Sequence, residues 1–352
     1  MAISMDTAVA GPISVCETGQ DNGFLIRAMV KTYTNAAWTS LGSGGGGYDS
    51  APFRDAGIMS LALEDNYPFK EKHTEQDVVG IVRAGSVQQM GEQVLSLARE
   101  LGGMDLSQPR AAHQTYFPLP FILLVHYPES WTVPLFLFAT FLMIALFVLA
   151  FRNRLITWRS LLLAFGVILA TTTVTALLIS LLTPALPSLF GWNVKLWPDW
   201  PEVMPPNGLI AYAGFVFLSS ILTFGGYKLA RRTTSAAFSL VSLIPFFLVS
   251  LVVSFAVPSS AYAFIWPVLI GSLAWFVYLL AQKKYNWPPE IPSTLTTLPL
   301  IILLMPFIPG IVMADGMKSV VILGGVWVLI LYPILAAIDQ LVLTSRTTQT
   351  RS

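Results

Sequence analysis

The chain has 352 residues, of which 55% are hydrophobic and only 11% are charged, and its formal net charge is +1. Soluble domains carry roughly 25% charged residues, so this composition excludes an ordinary soluble protein. The charge is unevenly divided, because residues 1–110 hold thirteen acidic and eight basic side chains whereas the remainder holds six and twelve. An acidic N-terminal part also argues against nucleic-acid binding.

Residues 1–110 predict alternating strands and helices. We expect a strand-like start that ends at Asp6, strands over 8–18 and 58–63, helices over 22–33 and 86–101, and a short helix near 50–56. Ser86 and Gln89 predict a capping box on the last helix, which Gly102 and Gly103 should end. This alternation is typical of an α/β layer fold, but so few strands predict only part of a domain.

Several residues in this part have an ordinary structural interpretation. The glycine run at 42–47 lacks the Gly-Lys-Ser/Thr of a phosphate loop and favours a flexible loop or an active-site rim. Cys16 is the single cysteine, which excludes an internal disulfide and predicts a packed strand residue. His113 and His126 have no carboxylate at ligand spacing, so neither is predicted to be functional.

The rest of the chain predicts a membrane domain. Seven stretches of about twenty residues contain no charged side chain, and each charge at mid-bilayer would cost roughly 2.5–3.5 kcal/mol. The predicted spans are 132–150, 161–183, 208–227, 235–257, 259–281, 296–314 and 319–338. The preceding apolar stretch, 115–126, contains two prolines and is too short to cross, so it predicts an interfacial or docking segment.

The basic residues predict an orientation. Ten of the twelve Lys and Arg beyond residue 110 follow the first, third or fifth span or lie in the C-terminal tail. Because cytoplasmic loops are enriched in Lys and Arg, these segments are predicted to be cytoplasmic and residues 1–110 extracytoplasmic. The resulting organisation is a head at 1–110, an interfacial linker at 111–130, a transmembrane domain at 131–340 and a cytoplasmic tail at 341–352, in a multi-pass protein of the plasma membrane.

Four ordered segments of the head carry a resemblance to a known family. They are Asp49-Ser50-Ala51-Pro52-Phe53-Arg54-Asp55-Ala56-Gly57-Ile58, then Leu61-Ala62-Leu63-Glu64, then His73-Thr74-Glu75-Gln76-Asp77, and finally Ser86-Val87-Gln88-Gln89-Met90-Gly91-Glu92. In order and spacing they resemble the closing third of the di-zinc aminopeptidases of metallopeptidase family 28. The membrane-bound branch of that family, which includes endoplasmic-reticulum and vacuolar membrane proteases, similarly places several spans after its peptidase domain.

The resemblance implies a partial α/β/α zinc-exopeptidase domain that removes N-terminal residues from peptide substrates. Two zinc ions would polarise the scissile carbonyl and activate a water. By resemblance, His73 is a ligand of one ion and Asp6 an acidic ligand of the other. Asp49 and Asp77 occupy motif positions that orient the metal ligands from outside. His73 also follows a buried strand at its carboxyl end, where α/β folds place their sites.

The departures from the family leave other interpretations open. The family's His-x-Asp pair and its Glu-Glu pair, which includes the general base, occur nowhere in the chain. Three motif positions differ, with Tyr48 before Asp49, Lys72 before His73 and Val78 after Asp77. Together with the lack of a leader sequence, this predicts that the chain starts inside a longer protein. The alternatives are a non-catalytic peptidase-like scaffold that binds a partner and, less favoured, a transporter.

Overall fold

The computed structural model describes most of the chain. It covers residues 1–6, 13–19, 21–32, 49–65, 75, 78–107, 111–119, 123–191, 208–285, 287, 290–304 and 319–349. These residues form two compact units, and the first, here called the head unit, comprises Met1–Pro134 together with Val253–Tyr262. The second, here called the membrane unit, comprises Leu135–Val252 and Ala263–Ser352.

The described part of the chain is mostly helical. Its strands are β1 (Ala2–Asp6), β2 (Ile13–Glu17), β3 (Ser60–Asp65), β4 (Gln114–Leu119) and β5 (Leu123–Pro128). Its helices are α1 (Gly23–Thr32), α2 (Ala51–Asp55), α3 (Ala84–Gly102), α4 (Thr132–Arg152), α5 (Trp158–Leu182), α6 (Leu186–Phe190), α7 (Gly208–Val241), α8 (Leu243–Ala256), α9 (Tyr262–Tyr285), α10 (Glu290–Leu304) and α11 (Val320–Gln349).

The main sheet of the head unit has the strand order β1-β3-β2. β1 runs parallel to β3, and β2 runs antiparallel to it. The elements match those expected from the sequence to within a few residues, although residues 7–12 and the glycine run at 42–47 lie outside the described ranges. This three-stranded sheet and the β4–β5 pair are too small to define the α/β/α domain class, which remains a prediction.

The capping box predicted at Ser86 and Gln89 is wrong. α3 begins at Ala84 after Arg83, whose backbone is extended and whose side chain makes no capping hydrogen bond. Ser86 therefore lies inside the first turn, where it is buried, instead of preceding the helix. The predicted end of this helix at Gly102 and Gly103 is confirmed.

The core of the head unit joins one face of the sheet to α1, α3 and the β4–β5 hairpin. Leu61 and Leu63 alternate along β3 toward this core, as a period of two requires. The helices contribute apolar residues at helical spacing, including Leu25 and Met29 from α1 and Leu97 from α3. Burial of this apolar surface is the main source of the head unit's stability.

The predicted interfacial or docking segment at 115–126 forms most of an antiparallel β-hairpin. β4 and β5 pair from Gln114 with Pro128 to Leu119 with Leu123. Tyr116 and Leu124 enter the core of the head unit. Phe117 stacks on Tyr262, with ring centroids 4.3 Å apart and an interplanar angle of 8°. The segment therefore docks within the head unit.

Among the described residues, six helices are long and apolar enough to cross a membrane. They cover Glu129–Arg152, Trp158–Phe190, Gly208–Ala230, Ala237–Ala256, Tyr262–Gln282 and Val320–Gln340. The predicted span at 296–314 lies only partly within the described ranges, where the last nine residues of α10 (Glu290–Leu304) fall inside it. The prediction of a helical domain with several helices of membrane-crossing length is thus confirmed for six helices, and a seventh crossing remains a prediction.

The third and fourth predicted spans are joined differently from expectation. The sequence predicts a loop near Lys228, Arg231 and Arg232, but the backbone stays helical from Gly208 to Val241. Beyond Gly226 this helix contains neither Gly nor Pro, the residues that most often end a helix. The rings of Tyr227 and Phe238 are nevertheless 5.0 Å apart. Eleven residues of straight helix would separate their positions by about 16 Å, so α7 bends between them.

Candidate functional site

The carboxyl ends of β1 and β3 lie at the same edge of the head sheet because the two strands are parallel. Asp6 is the register partner of Glu64, and Ile13, the first residue of β2, is the partner of Asp65. Two neighbouring strands therefore end in acidic residues at one edge, with Glu64 buried. The chain leaves β3 at this edge and enters the segment that contains His73.

The structure tests the position of only two of the four predicted site residues. Asp6 ends β1 as expected. Asp49 is exposed in the turn before α2. His73 and Asp77 lie outside the described residues. Within the described ranges, no group of three or more His, Cys, Asp or Glu side chains is arranged to hold a metal ion. Carboxylates with a following His suit zinc chemically, but the described donors alone are too few.

A buried ion pair that sequence reasoning missed holds the segment after Asp49 in place. Glu17 at the end of β2 is fully buried and pairs with Arg54 of α2, and Ser50 Oγ donates a hydrogen bond of 3.3 Å to Glu17 Oε2. Hydrogen bonds to Asp55 and Glu17 raise the pKa of Arg54 above its ordinary value, so the guanidinium remains cationic. These contacts fix α2, and with it the position of Asp49, relative to the sheet.

Asn22 connects the β4–β5 hairpin to the segment that follows β2. Its Oδ1 accepts a hydrogen bond of 2.7 Å from the Gln114 N–H, and its Nδ2 donates to the Gln114 carbonyl at 3.2 Å and to Thr18 Oγ1 at 3.0 Å. The side chain is fully buried. Asn22 therefore satisfies the backbone at the start of β4 in the way a neighbouring strand would.

His113 has no carboxylate at ligand spacing in the sequence, but the fold brings one close to it. His113 Nε2 lies 3.6 Å from Glu129 Oε2, and the Glu129 N–H donates a 3.0 Å hydrogen bond to the His113 carbonyl. The two residues flank the hairpin and continue its pairing. Because they are sixteen positions apart, their contact cannot be recognised from local spacing in the sequence. Recognising residues 114–128 as a hairpin would have revealed it, since strand pairing brings its two ends together. Both residues line a cavity of about 420 Å³.

In the membrane unit, polar side chains mostly bond to each other or to the preceding helical turn. Thr171 Oγ1 and Tyr332 Oη are 2.8 Å apart, and Tyr227 donates to Asp339 at 3.3 Å. Asp339 directly follows the last predicted span. Hydroxyls in these positions commonly hold membrane helices together, so the contacts do not by themselves indicate a transport pathway.

Comparison of the chain with protein-family models, with curated proteins and with solved structures finds no match.

Proposed function

We propose that the chain is the membrane-anchored part of a zinc exopeptidase of the aminopeptidase type, with peptides as substrates. One observation carries this proposal more than any other. Asp6 ends β1, and the adjacent parallel strand β3 leads from the same sheet edge into the segment that contains His73. Ligands that follow neighbouring parallel strands can converge, and α/β enzymes commonly build their sites at such an edge.

In this proposal Asp6 and His73 are two of five ligands for two zinc ions, and Asp49 and Asp77 orient them. Two zinc ions, when bound, polarise the scissile carbonyl and activate water. The Glu17–Arg54 pair contributes by holding the Asp49 segment against the sheet. The remaining ligands and the general-base glutamate are not among these 352 residues, so this chain alone is proposed to be inactive.

The proposed location is a plasma membrane, with the head outside the cytoplasm. The positions of the basic residues support this orientation, as described above. A second observation agrees with it. Val253–Tyr262, which connects the fourth and fifth predicted spans, belongs to the head unit. The positive-inside pattern places this connection and the head on the same side, as membership in one compact unit requires.

The test of the metal site is the variant His73→Ala in the complete protein that supplies the remaining ligands, purified from its own membrane. We expect it to lose about one zinc ion per chain and its aminopeptidase activity, because removing one ligand of a three-ligand site abolishes tight zinc binding. His126→Ala is the matched control, since His126 is exposed on the hairpin and should leave both quantities unchanged. Equal zinc content in wild type and His73→Ala would show that His73 is not a ligand.

A non-catalytic scaffold is the second candidate, favoured by the absence of His-x-Asp and Glu-Glu from the sequence. The same purified protein distinguishes the two. A folded head that binds no zinc, hydrolyses no peptide and retains a protein partner through purification would support the scaffold and contradict the peptidase. Transport is the weakest candidate, because ionisable residues usually mark membrane pathways and the predicted spans contain none.

A further inference from the structure

The cavity beside His113 lies within the head unit at a boundary between polar and apolar segments. Its lining consists of Ala112 and His113 before β4, of Glu129, Ser130, Thr132 and Val133 around the start of α4, and of Ser254 in α8 and Pro258 just after it. Both helices belong to the set long and apolar enough to cross a membrane. Its volume of about 420 Å³ falls within the range of roughly 300–1,000 Å³ typical of small-molecule sites.

The cavity presents an acidic group and an imidazole side by side. Glu129 Oε2 and His113 Nε2 are 3.6 Å apart, beyond hydrogen-bond distance, and their side chains remain 29% and 18% exposed. Each can therefore still bond to a ligand. Ser130 adds an exposed hydroxyl on the same wall. A carboxylate next to neutral or cationic donors fits a zwitterion that carries an ammonium group near a phosphate.

Trp131 indicates the level of the membrane at which the cavity lies. Trp131, next to Glu129 and Ser130 in sequence, is 57% exposed at the point where the apolar helix α4 begins. Trp is enriched at the membrane–water interface, where its ring sits at the level of the lipid headgroups. The cavity therefore lies where headgroups, and not acyl chains or bulk solvent, are the most abundant small ligands.

We propose that this cavity binds a membrane phospholipid with a primary ammonium headgroup. The ammonium pairs with Glu129, and the phosphate oxygens accept hydrogen bonds from His113 and Ser130. Quaternary ammonium groups are usually held by aromatic rings. The described lining includes no Phe, Tyr or Trp, which favours a primary ammonium over choline. The proposal is independent of the peptidase assignment.

The test is lipid binding by the full chain, delipidated in detergent and titrated with phosphatidylethanolamine or phosphatidylcholine of identical acyl chains, with bound lipid counted by native mass spectrometry. We expect one tightly bound phosphatidylethanolamine per chain, preferred over phosphatidylcholine by about tenfold, as the loss of a hydrogen bond to a charged group implies. Glu129→Gln should weaken phosphatidylethanolamine binding by a similar factor. Glu92→Gln, an exposed carboxylate on α3, is the matched control and should bind like wild type.

Two further measurements keep the result interpretable. Ala112→Leu adds bulk to the cavity wall without altering Glu129 or His113, so it should lower binding while the melting temperature stays close to that of wild type. Glycerophosphoethanolamine, which has the headgroup without acyl chains, should bind far more weakly than the lipid. Equal binding of the two phospholipids, equal binding by Glu129→Gln and Glu92→Gln, or equal binding of the chain-free headgroup would each overturn the proposal.

Discussion

At the scale of single residues, the head unit uses buried polar side chains to join segments that are distant in sequence. Glu17 reaches Arg54 across 37 residues, and Asn22 reaches Gln114 across 92. Such groups are costly to bury alone, and each is satisfied here by a specific partner. Their value lies in specifying one arrangement of the chain, because any other packing would leave a buried polar atom without a hydrogen bond.

Asn22→Ala should loosen the hairpin. The substitution leaves the Gln114 N–H and carbonyl without their side-chain partner in a partly buried setting, which costs about 1–3 kcal/mol of local stability. Amide hydrogen exchange measured by mass spectrometry should show faster exchange in residues 111–119. Gln88→Ala, which removes an exposed hydrogen bond to Glu92, is the control and should leave that segment unchanged. Protection of 111–119 equal to wild type in Asn22→Ala would show that the hairpin is held by its apolar contacts alone.

At the scale of elements, the membrane unit depends on close helix contacts. α5, α7 and α11 pack against one another, and small residues occupy the points of closest approach. A Cβ added at Gly226 would lie 2.8 Å from Thr171 Oγ1 and 2.9 Å from Tyr332 Oη, closer than packed atoms tolerate. Glycine at this position lets α7 approach the hydrogen-bonded Thr171–Tyr332 pair, as small residues do in membrane helix interfaces.

Gly226→Ala should therefore destabilise the bundle, by about 1–3 kcal/mol as is typical of overpacking. Its neighbour offers the control, because a Cβ at Gly225 meets no atom within 4 Å. Gly225→Ala should be neutral or slightly stabilising, since Ala is the better helix former. Thermal unfolding of both variants in the same detergent checks the difference. Equal melting temperatures would contradict the close approach at Gly226.

The elements that the sequence predicts correctly are those dominated by one strong local signal. Long apolar runs give α4, α5, α9 and α11, because hydrocarbon burial outweighs every other preference in such segments. The hairpin at 114–128 was expected only as an interfacial or docking segment, since its pairing depends on contacts with α1 and with Tyr262 that lie far away in sequence. The bend in α7 was likewise not predicted, because this helix contains no Gly or Pro beyond Gly226.

The candidate metal site likewise combines features that the sequence predicts with contacts that it does not. The position of Asp6 at the end of a strand follows from a short apolar run and is confirmed. Its neighbour across the sheet, Glu64, requires the strand register, which the sequence does not supply. The Glu17–Arg54 and His113–Glu129 contacts were missed for the same reason. Spacing along one element can be read directly, but a contact between elements depends on how they pair.

At the scale of the whole molecule, the proposed orientation can be tested directly. In a Cys16→Ser background, Ser107→Cys places a thiol on the exposed surface of the head, and Asn153→Cys places one after α4 beside the basic residues Arg152 and Arg154. A membrane-impermeant maleimide added to intact cells should label Ser107→Cys alone. Permeabilised cells should show labelling of both. Labelling of Asn153→Cys in intact cells would reverse the orientation and place the head in the cytoplasm.

The inclusion of Val253–Tyr262 in the head unit has a consequence for how the protein is made. The ribosome completes Met1–Pro134 long before it reaches Tyr262, on the order of ten seconds earlier at about 5–20 residues per second. Until α8 has been inserted and the chain has turned back, Phe117 lacks its stacking partner, and Thr132 lacks the Pro258 carbonyl, which it reaches over 3.4 Å. These two contacts of the head unit can therefore form only after the chain through Tyr262 has been synthesised, and a chain in which α8 is misplaced leaves the Phe117 side chain without its stacking partner.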